Sequence, residues 1–490
     1  MTRILVLSLA MLIAASVHSD AQVGSPRGSR CRFTFTATRP VLALQQPSGQ
    51  YNVWAGGDVV SNCRAKGLVV TADSLEYYGD EGRTVLIGRA NYRDRRLRLT
   101  STTLTYFEPD ERILAVENVV GTLPTGSTIR GPQLEFLRAV PLIRPQQLAT
   151  AIGRPTISLV ERDAQGRAQP PVRITGNTVW MVGDSIVAAS GSVVVVRPQL
   201  TATGDSLYAD AGQGLLRIMR TPRIVGTRGR PFTLTGETID LLTRRRKLER
   251  VLAKSNAEAQ SEELNLKSDT IDMRVTDDLL QRAIVWGKGR AFATSPSQSV
   301  TADSIDVLLP LQRVRQLNAV RGAVAMGTPD TAGVVTTERD RLTGDTIIAY
   351  FDSIPARDTV SRPRIRLLRS LGSATSLRHV APGDTTLCAP RILYTRGRTI
   401  DVQFTAGVVD TVEVLDRVQL ASGALLDPQP DSANLCSVLR ARPAPAAPGT
   451  VAPAPPTPAP APAVPSRPVP TRPASSAPPS GQSVSPDRRR

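Results

Sequence analysis

The sequence is poor in aromatic residues and in histidine. Phe, Trp and Tyr make up 4% of the 490 residues, and of the 2 histidines only His379 lies beyond the first 21 positions. A single histidine without a surrounding motif predicts a surface position rather than a catalytic role. The chain also lacks a serine-nucleophile elbow, a phosphate-binding loop and an H-E-x-x-H zinc motif. We therefore expect no enzymatic activity, no cofactor and no metal.

Cysteine is scarce, with four residues at Cys31, Cys63, Cys388 and Cys436. No two of them form a C-x-x-C pair, which gives little support to zinc binding. Three pairings are possible, and Cys31–Cys63 with Cys388–Cys436 would close the shortest loops and bracket the repeated segments described below. Four buried thiols are the alternative, which is less compatible with an oxidising compartment. We predict these two disulfides.

Long hydrophobic runs are missing except at the N-terminus. Arg3 precedes an apolar run at 4–17, and the small residues Ser19 and Ala21 precede Gln22, which is the pattern of a cleaved secretory signal peptide. The alternative is an uncleaved anchor, but the run is shorter than the ~20 residues of a membrane-spanning helix. We predict a signal peptide at 1–21 and a protein located in the periplasm, either free or associated with the outer membrane.

Acidic residues are outnumbered, with 43 Asp and Glu against 60 Lys and Arg and a formal net charge of +17. A charge of this size predicts a polyanionic partner. Nucleic acid is the usual partner of a basic protein, but the predicted export argues against it, so no nucleic acid is expected. Arginines at the rims of the fold could instead hold phosphates bidentately; the candidates are Arg83, Arg89, Arg93, Arg95, Arg96 and Arg98.

A short motif recurs along the chain. The segment Val69–Tyr78 contains Asp73-Ser74-Leu75, an acid, a hydroxyl residue and an aliphatic residue. The copies lie roughly 30 residues apart, within the range that marks repeat architectures. Clear copies begin at Asp205, Glu237, Asp269, Asp303 and Asp345, and weaker ones at Thr102, Pro132, Asn177 and Arg398.

The flanks of the motif predict that each repeat is an antiparallel β-hairpin. Apolar residues alternate after the motif, as Leu75 and Tyr77 do, which indicates a strand with one buried face. Polar tips at 79–83, 108–112 and 210–214 turn the chain, and a second apolar strand returns. A lone hairpin is marginal in water, so the units must stack. Asp73 has the same parity as Leu75, which predicts a bulge or corner at the acid.

The repeated cadence Thr71-Ala72-Asp73-Ser74-Leu75-Glu76-Tyr77, an acidic tip and Val85–Ala90 resembles the OstA/LptA family of lipopolysaccharide-export proteins. The resemblance covers about residues 51–352, with a weaker trace to 420. It implies an elongated β-jellyroll with a groove along one side that shields the acyl chains of lipopolysaccharide crossing the periplasm. It also implies that such jellyrolls join other export components by pairing edge strands.

Composition and repeats together predict an all-β chain, an elongated β-jellyroll of stacked antiparallel hairpins followed by a disordered tail. Residues 247–264 are polar, but their place in the repeat favours a return strand with a loop. The predicted segments are a signal peptide (1–21), an irregular N-terminal segment (22–50), a first repeat block (51–137), a Pro-rich connection (138–171) with a short helical turn at 146–152, a second repeat block (172–352), an insertion (353–390), a terminal β unit (391–439) and a Pro/Ala-rich tail (440–490).

The expected function is binding and transport of lipopolysaccharide, with acyl chains held in an apolar groove and phosphates held by arginines. The alternative is a structural envelope scaffold or adhesin in which the apolar face is a closed core. A right-handed β-helix enzyme or adhesin would lack a charged tip in every repeat. The residues expected to line the groove are Leu75, Tyr77, Leu104, Tyr106, Leu207, Ile239, Leu241, Ile271, Met273, Ile305 and Val307.

Overall fold

The computed structural model describes residues 21–23, 33–63, 67–160, 166–167, 170–198, 200–226, 230–244, 247–329, 336–352, 363–405, 408–415, 422–428 and 435–437. Residues 1–20 of the predicted signal peptide, Cys31 and the tail at 440–490 lie outside them. No helix in the described part of the chain has the length and apolar character needed to cross a membrane.

The described residues form one antiparallel sheet of 29 strands, with a 3-10 turn at Pro310–Gln312. The all-β prediction is thereby confirmed. The strands are β1 (Ala21–Val23), β2 (Phe33–Thr36), β3 (Leu42–Gln45), β4 (Tyr51–Cys63), β5 (Leu68–Tyr78), β6 (Arg83–Arg93), β7 (Arg98–Phe107), β8 (Arg112–Thr122), β9 (Thr128–Leu137), β10 (Leu148–Ile152), β11 (Thr156–Leu159), β12 (Val172–Thr175), β13 (Thr178–Val182), β14 (Ile186–Arg197), β15 (Leu200–Asp210), β16 (Leu215–Met219), β17 (Arg223–Gly226), β18 (Phe232–Thr235), β19 (Thr238–Arg244), β20 (Lys247–Ser261), β21 (Asn265–Thr276), β22 (Leu279–Thr294), β23 (Gln298–Leu308), β24 (Gln316–Gly327), β25 (Asp340–Phe351), β26 (Ile365–Val380), β27 (Arg391–Thr405), β28 (Val408–Val414) and β29 (Ser422–Leu426).

The polar tips join consecutive strands, as the alternation predicted. The tip at 79–83 connects β5 to β6, the tip at 108–112 connects β7 to β8, and the tip at 210–214 connects β15 to β16, each pair being antiparallel. The polar segment at 247–264 is the long strand β20 followed by a turn, which confirms its place in the repeat.

The long strands carry a register shift near their middle. On most alternate strands two residues with positive φ face a single residue of the neighbouring strand, as Gly57 and Asp58 face Asp73. Two residues facing one define a β-bulge, which bends the strand. We call this line of bulges the crease; its positive-φ pairs are Gly57–Asp58, Gly88–Arg89, Glu117–Asn118, Gly153–Arg154, Gly191–Ser192, Arg220–Thr221, Ser255–Asn256, Arg321–Gly322 and Gly372–Ser373.

The first residue of the recurring motif lies at the crease. Ala72 and Leu75 are both buried although they differ in parity, because the register shift falls between them at Asp73. The Asp73 side chain therefore points away from the interior, where Arg89 Nε donates to its Oδ1 at 2.6 Å. The prediction of a corner at the acid is confirmed.

The crease folds the sheet into two walls. We call the strand halves joined by turns such as 79–82 and 108–111 the lower wall, and those joined by turns such as 94–97 and 123–127 the upper wall. Asp94 in an upper-wall turn approaches Arg138 at a lower-wall end, with 3.6 Å between Oδ2 and Nη2. The free ends of the walls therefore meet, along a line that we call the mouth, and the side chains between the walls form one apolar core.

The sheet continues through residues 138–171, where prolines predicted a connection. β10 pairs with the lower-wall half of β9 and β11 with its upper-wall half, and the crease pair Gly153–Arg154 separates them. The helical turn predicted at 146–152 is wrong, because Leu148–Ile152 is the strand β10. Pro155 sits in the short gap between the two strands, where no ladder N–H is needed.

The segment predicted as an insertion, 353–390, contains a full strand. β26 pairs with both β25 and β27 on either side of its crease. Leu368 and Ser370 before the crease, and Ala374 and Ser376 beyond it, are buried at period 2. The pattern was hidden because serine occupies half of these inward positions. Longer turns, such as 381–390, explain the wider spacing of the motif copies here. Residues 353–362 lie outside the described residues.

His379 is buried in β26, so the prediction of a surface position is wrong. Its ring is 1% exposed, with Nδ1 3.0 Å from Asp340 Oδ1 and Nε2 3.1 Å from Glu338 Oε2. The two carboxylates flank the ring from the neighbouring strand β25 and the residues before it. Sequence could not show this, because Glu338 and His379 are brought together only by strand pairing.

One predicted disulfide is present. Cys388 and Cys436 are bonded, with 4.7 Å between their Cα atoms. The bond ties the segment 435–437 to the turn between β26 and β27, where Leu387 pairs with Leu435. Because Cys31 lies outside the described residues, the Cys31–Cys63 bond stays a prediction.

We expect Gly88→Ala to destabilise the crease. Gly88 has φ +74°, and a Cβ there would lie 2.3 Å from Asp73 Oδ2. A left-handed residue other than glycine costs roughly 1–2 kcal/mol, and the carboxylate would also have to move. The free energy of unfolding in urea should fall by about 1–3 kcal/mol. Gly289→Ala is the control, since a Cβ there meets nothing within 4 Å; equal stability of the two variants would contradict a steric constraint at the crease.

Candidate functional site

The predicted groove residues lie together on the inner face of the lower wall. All eleven are 7% exposed or less. The interior is therefore continuous across the strands, as the alternation indicated, and these positions form its packed floor. They are Leu75, Tyr77, Leu104, Tyr106, Leu207, Ile239, Leu241, Ile271, Met273, Ile305 and Val307.

The upper wall supplies the other half of the lining, which sequence reasoning missed. Its inner residues near the crease are mostly small, and residues farther from the crease, such as Leu99 and Ile129, are larger. Small side chains let the two walls approach closely at the crease. Alanine directly before the motif acid, as in Thr301-Ala302-Asp303, was the available signal. The buried alanines at the crease include Ala72, Ala90, Ala257, Ala302, Ala323 and Ala374.

A polar cluster crosses the mouth in the N-terminal part of the array. Arg138 of the lower wall reaches Asp94 of the upper wall at 3.6 Å and Glu111 at 3.5 Å. The Tyr92 hydroxyl donates to Asp94 Oδ2 at 2.8 Å, and the Tyr106 hydroxyl donates to Glu111 Oε2 at 2.9 Å. The Asp94 side chain is 6% exposed. We call these five residues the latch, because they join the rims of the two walls.

Burial keeps the phenols of this region protonated. It raises the pKa of Tyr77 to about 12, with a further contribution from the Glu108 carboxylate. Burial also raises the pKa of Tyr92 and Tyr106, with Asp94 acting on the first and Glu111 on the second. The Tyr77 hydroxyl is buried without a hydrogen-bond partner in the described part of the chain. The latch hydroxyls are thus fixed as donors to carboxylates.

A second contact crosses the mouth near the middle of the array. The main-chain N–H of Arg230, in the upper-wall turn between β17 and β18, donates to Gln312 Oε1 at 3.0 Å. Gln312 belongs to the lower-wall turn between β23 and β24. The Arg230 side chain is also ion-paired with Glu263. This crossing again holds the two rims together.

Cavities between the rims grow larger toward the C-terminal part. The cavity beyond the latch, between Leu123 and Met181, holds about 30 Å³, and the one beside Gln312 holds about 70 Å³. Two further cavities of about 320 and 310 Å³ follow, and both include Ser297 and Phe404 in their lining. Ligand pockets typically begin at ~300 Å³. Both of these cavities therefore reach ligand size.

The rim arginines separate into two groups. Arg83 is ion-paired with Glu81 and lies 4.1 Å over the ring of Tyr78, and Arg89 binds Asp73. The other four arginines are exposed around the upper-wall turn at 94–97, and none of them is ion-paired with a described residue. These four, Arg93, Arg95, Arg96 and Arg98, form a basic patch beside the latch.

Neither the protein-family models nor the curated proteins compared with this chain match it.

We expect the lower-wall floor to behave as core. Ile271 is 0% exposed, so Ile271→Ala should lower the free energy of unfolding by about 2–5 kcal/mol through lost burial and a residual cavity. The matched control is Ile87→Ala, since Ile87 is 39% exposed on the outer face, and its change should stay within about 0.5 kcal/mol. Similar small losses in both variants, measured by urea denaturation, would contradict a packed floor.

Proposed function

We propose that the protein binds lipopolysaccharide in the periplasm and shields its acyl chains between the two walls during transfer to the outer membrane. The observation that carries the proposal is the continuous apolar interior between the walls, which widens at the mouth into two cavities of about 320 and 310 Å³. Apolar surface enclosed by a long sheet is the environment that acyl chains require. The repeated cadence around Asp73, with its resemblance to the OstA/LptA family, supports the same function.

The basic patch at 93–98 supports an anionic cargo. Four arginines without ion pairs among the described residues surround the turn at 94–97. A guanidinium group presents paired donors that match phosphate oxygens. The phosphates of lipid A are the groups that this patch would bind.

Exposed strands at the ends of the sheet support assembly with similar β-jellyroll components. β3 pairs only with β4 in the described sheet, and its other edge is open. Leu42 and Leu44 on this strand are 62% and 57% exposed. An exposed apolar edge strand is a template for pairing with another sheet. Export components that present a free edge would therefore extend the trough from this end.

A structural scaffold is the second candidate function, and one observation favours it. All eleven floor residues are buried to the extent expected of a closed core. A scaffold would need the stability of this core but no access through the mouth. The two functions differ in whether a lipid reaches the inner face of the walls.

The test is photocrosslinking in the native periplasm with a matched pair of positions. Phe404 lines both large cavities, whereas Phe292 is 45% exposed on the outer face. Each is replaced by p-benzoylphenylalanine, the cells are irradiated while export is active, and adducts are identified by lipid extraction and mass spectrometry. Because an acyl chain between the walls contacts only inner residues, we expect lipid A adducts at position 404 and none at position 292.

Absence of adducts at position 404, in a variant whose circular dichroism shows the native β fold, would favour the scaffold. Equal adducts at both positions would indicate nonspecific surface contact and would also contradict the proposal.

A further inference from the structure

We propose that cargo is loaded through the C-terminal part of the mouth, where a long acyl chain attached to an anionic phosphorylated headgroup occupies the two joined cavities. This inference rests on the proposed function, since it assigns the position at which the cargo enters the trough. The N-terminal part of the mouth stays shut in the absence of cargo. We call the two cavities that share Ser297 and Phe404 the loading site.

Two contacts cross the mouth on the N-terminal side of the loading site. The latch and the Arg230–Gln312 contact both precede the loading site along the array. The cavity between these two crossings holds about 30 Å³, which is room for about one water molecule. An acyl chain could enter there only by separating walls that already fill the space with their own side chains.

The latch opposes such a separation. Asp94 is nearly buried, and Arg138 is the cation that crosses the mouth to reach it. Opening the rims would remove this partner while the Tyr92 hydroxyl still binds the carboxylate. A carboxylate separated from its ion-pair partner in a poorly hydrated site is strongly destabilised. The N-terminal walls are therefore held by charge as well as by packing.

The loading site has the lining of an amphipathic ligand. Its inner surface comes from both walls, with Val300 and Ala293 above and Leu317, Phe351 and Phe404 below. Its polar border carries both signs of charge. The cations there are Arg341, Arg364 and Arg378, and the acids are Glu262, Glu263 and Asp340.

This lining favours a long acyl chain over a purely polar ligand. At these cavities the apolar side chains of the upper and lower walls are already partly separated. An acyl chain would therefore add contacts without first breaking contacts between the walls. The exposed Arg341 at the border of the cavity can approach a phosphate. Lipid A and anionic glycerophospholipids both have this chemistry, and the two sources are separated experimentally below.

The experiment uses the full chain with p-benzoylphenylalanine at three phenylalanine positions. Phe351 and Phe404 line the loading site, and Phe136 lines the 30 Å³ cavity of the latched part. Each purified variant is irradiated with lipid A micelles or with phosphatidylglycerol vesicles, and native folding is checked by circular dichroism. We expect lipid A adducts at 351 and 404, with about tenfold fewer at 136.

Three further variants test access to the two parts of the mouth. Ser297→Trp places a large ring at the exposed turn shared by both cavities, and should reduce adducts at 404 about tenfold. Thr125→Trp, on an exposed upper-wall turn of the latched part, is its control and should change nothing. Asp94→Asn keeps the Oδ1 that accepts from the Arg96 and Leu97 N–H groups but removes the charge opposite Arg138. Adducts at 136 should then increase.

The outcomes separate this inference from the proposed function. Equal lipid A adducts at all three positions would overturn the loading position and leave lipopolysaccharide binding intact. Adducts at 351 and 404 with phosphatidylglycerol alone would support the loading position and overturn lipopolysaccharide as the cargo. No adducts with either lipid in folded protein would overturn both. Unchanged adducts at 136 in Asp94→Asn would overturn the role of the latch.

Discussion

The bulge opposite the recurring motif is the constraint on which the rest of the structure depends. In a regular strand a shift of one residue moves every apolar side chain to the opposite face of the sheet. Here the shift occurs inside each strand, at residues such as Asp73, while the strand bends at the same place. Both halves of the strand therefore direct their apolar residues into one enclosed space. A continuous register would leave one wall with its apolar face in water.

The shape of this space accounts for the low aromatic content of the sequence. Small and medium residues such as Ala72, Ala302 and Val59 fill the interior at the crease, and the larger Tyr92 and Tyr106 lie toward the mouth. A narrow space between two halves of the same sheet has little room for aromatic side chains, which agrees with an aromatic content of 4%. Burial is instead obtained from many small and medium aliphatic residues repeated along the array.

The sequence was sufficient to predict the features whose residues all lie within one repeat. The hairpins, the polar tips and the corner at Asp73 follow from period-2 alternation and turn chemistry, and all are present. Features set by distant pairing were missed. β26 was hidden because Ser370 and Ser376 take inward positions. His379 meets Glu338 only through the sheet, and the latch joins Asp94 to Arg138 across the mouth. The floor residues are buried inward positions. The opposing wall was missed because the alternation was followed through only one half of each strand.

Whether the interior acts as a closed core or as a lipid-binding trough depends on the free energy of separating the two walls. In the latched part an acyl chain would replace contacts between walls with contacts of similar apolar area, so burial at about 25 cal/mol per Å² yields little net gain. It would also leave Asp94 without its cation. At the loading site the space beside Phe404 is already unfilled, so a chain gains burial that the protein alone does not have. The same repeat can thus hold the structure together at one end and accept a ligand at the other, depending only on which side chains meet across the mouth.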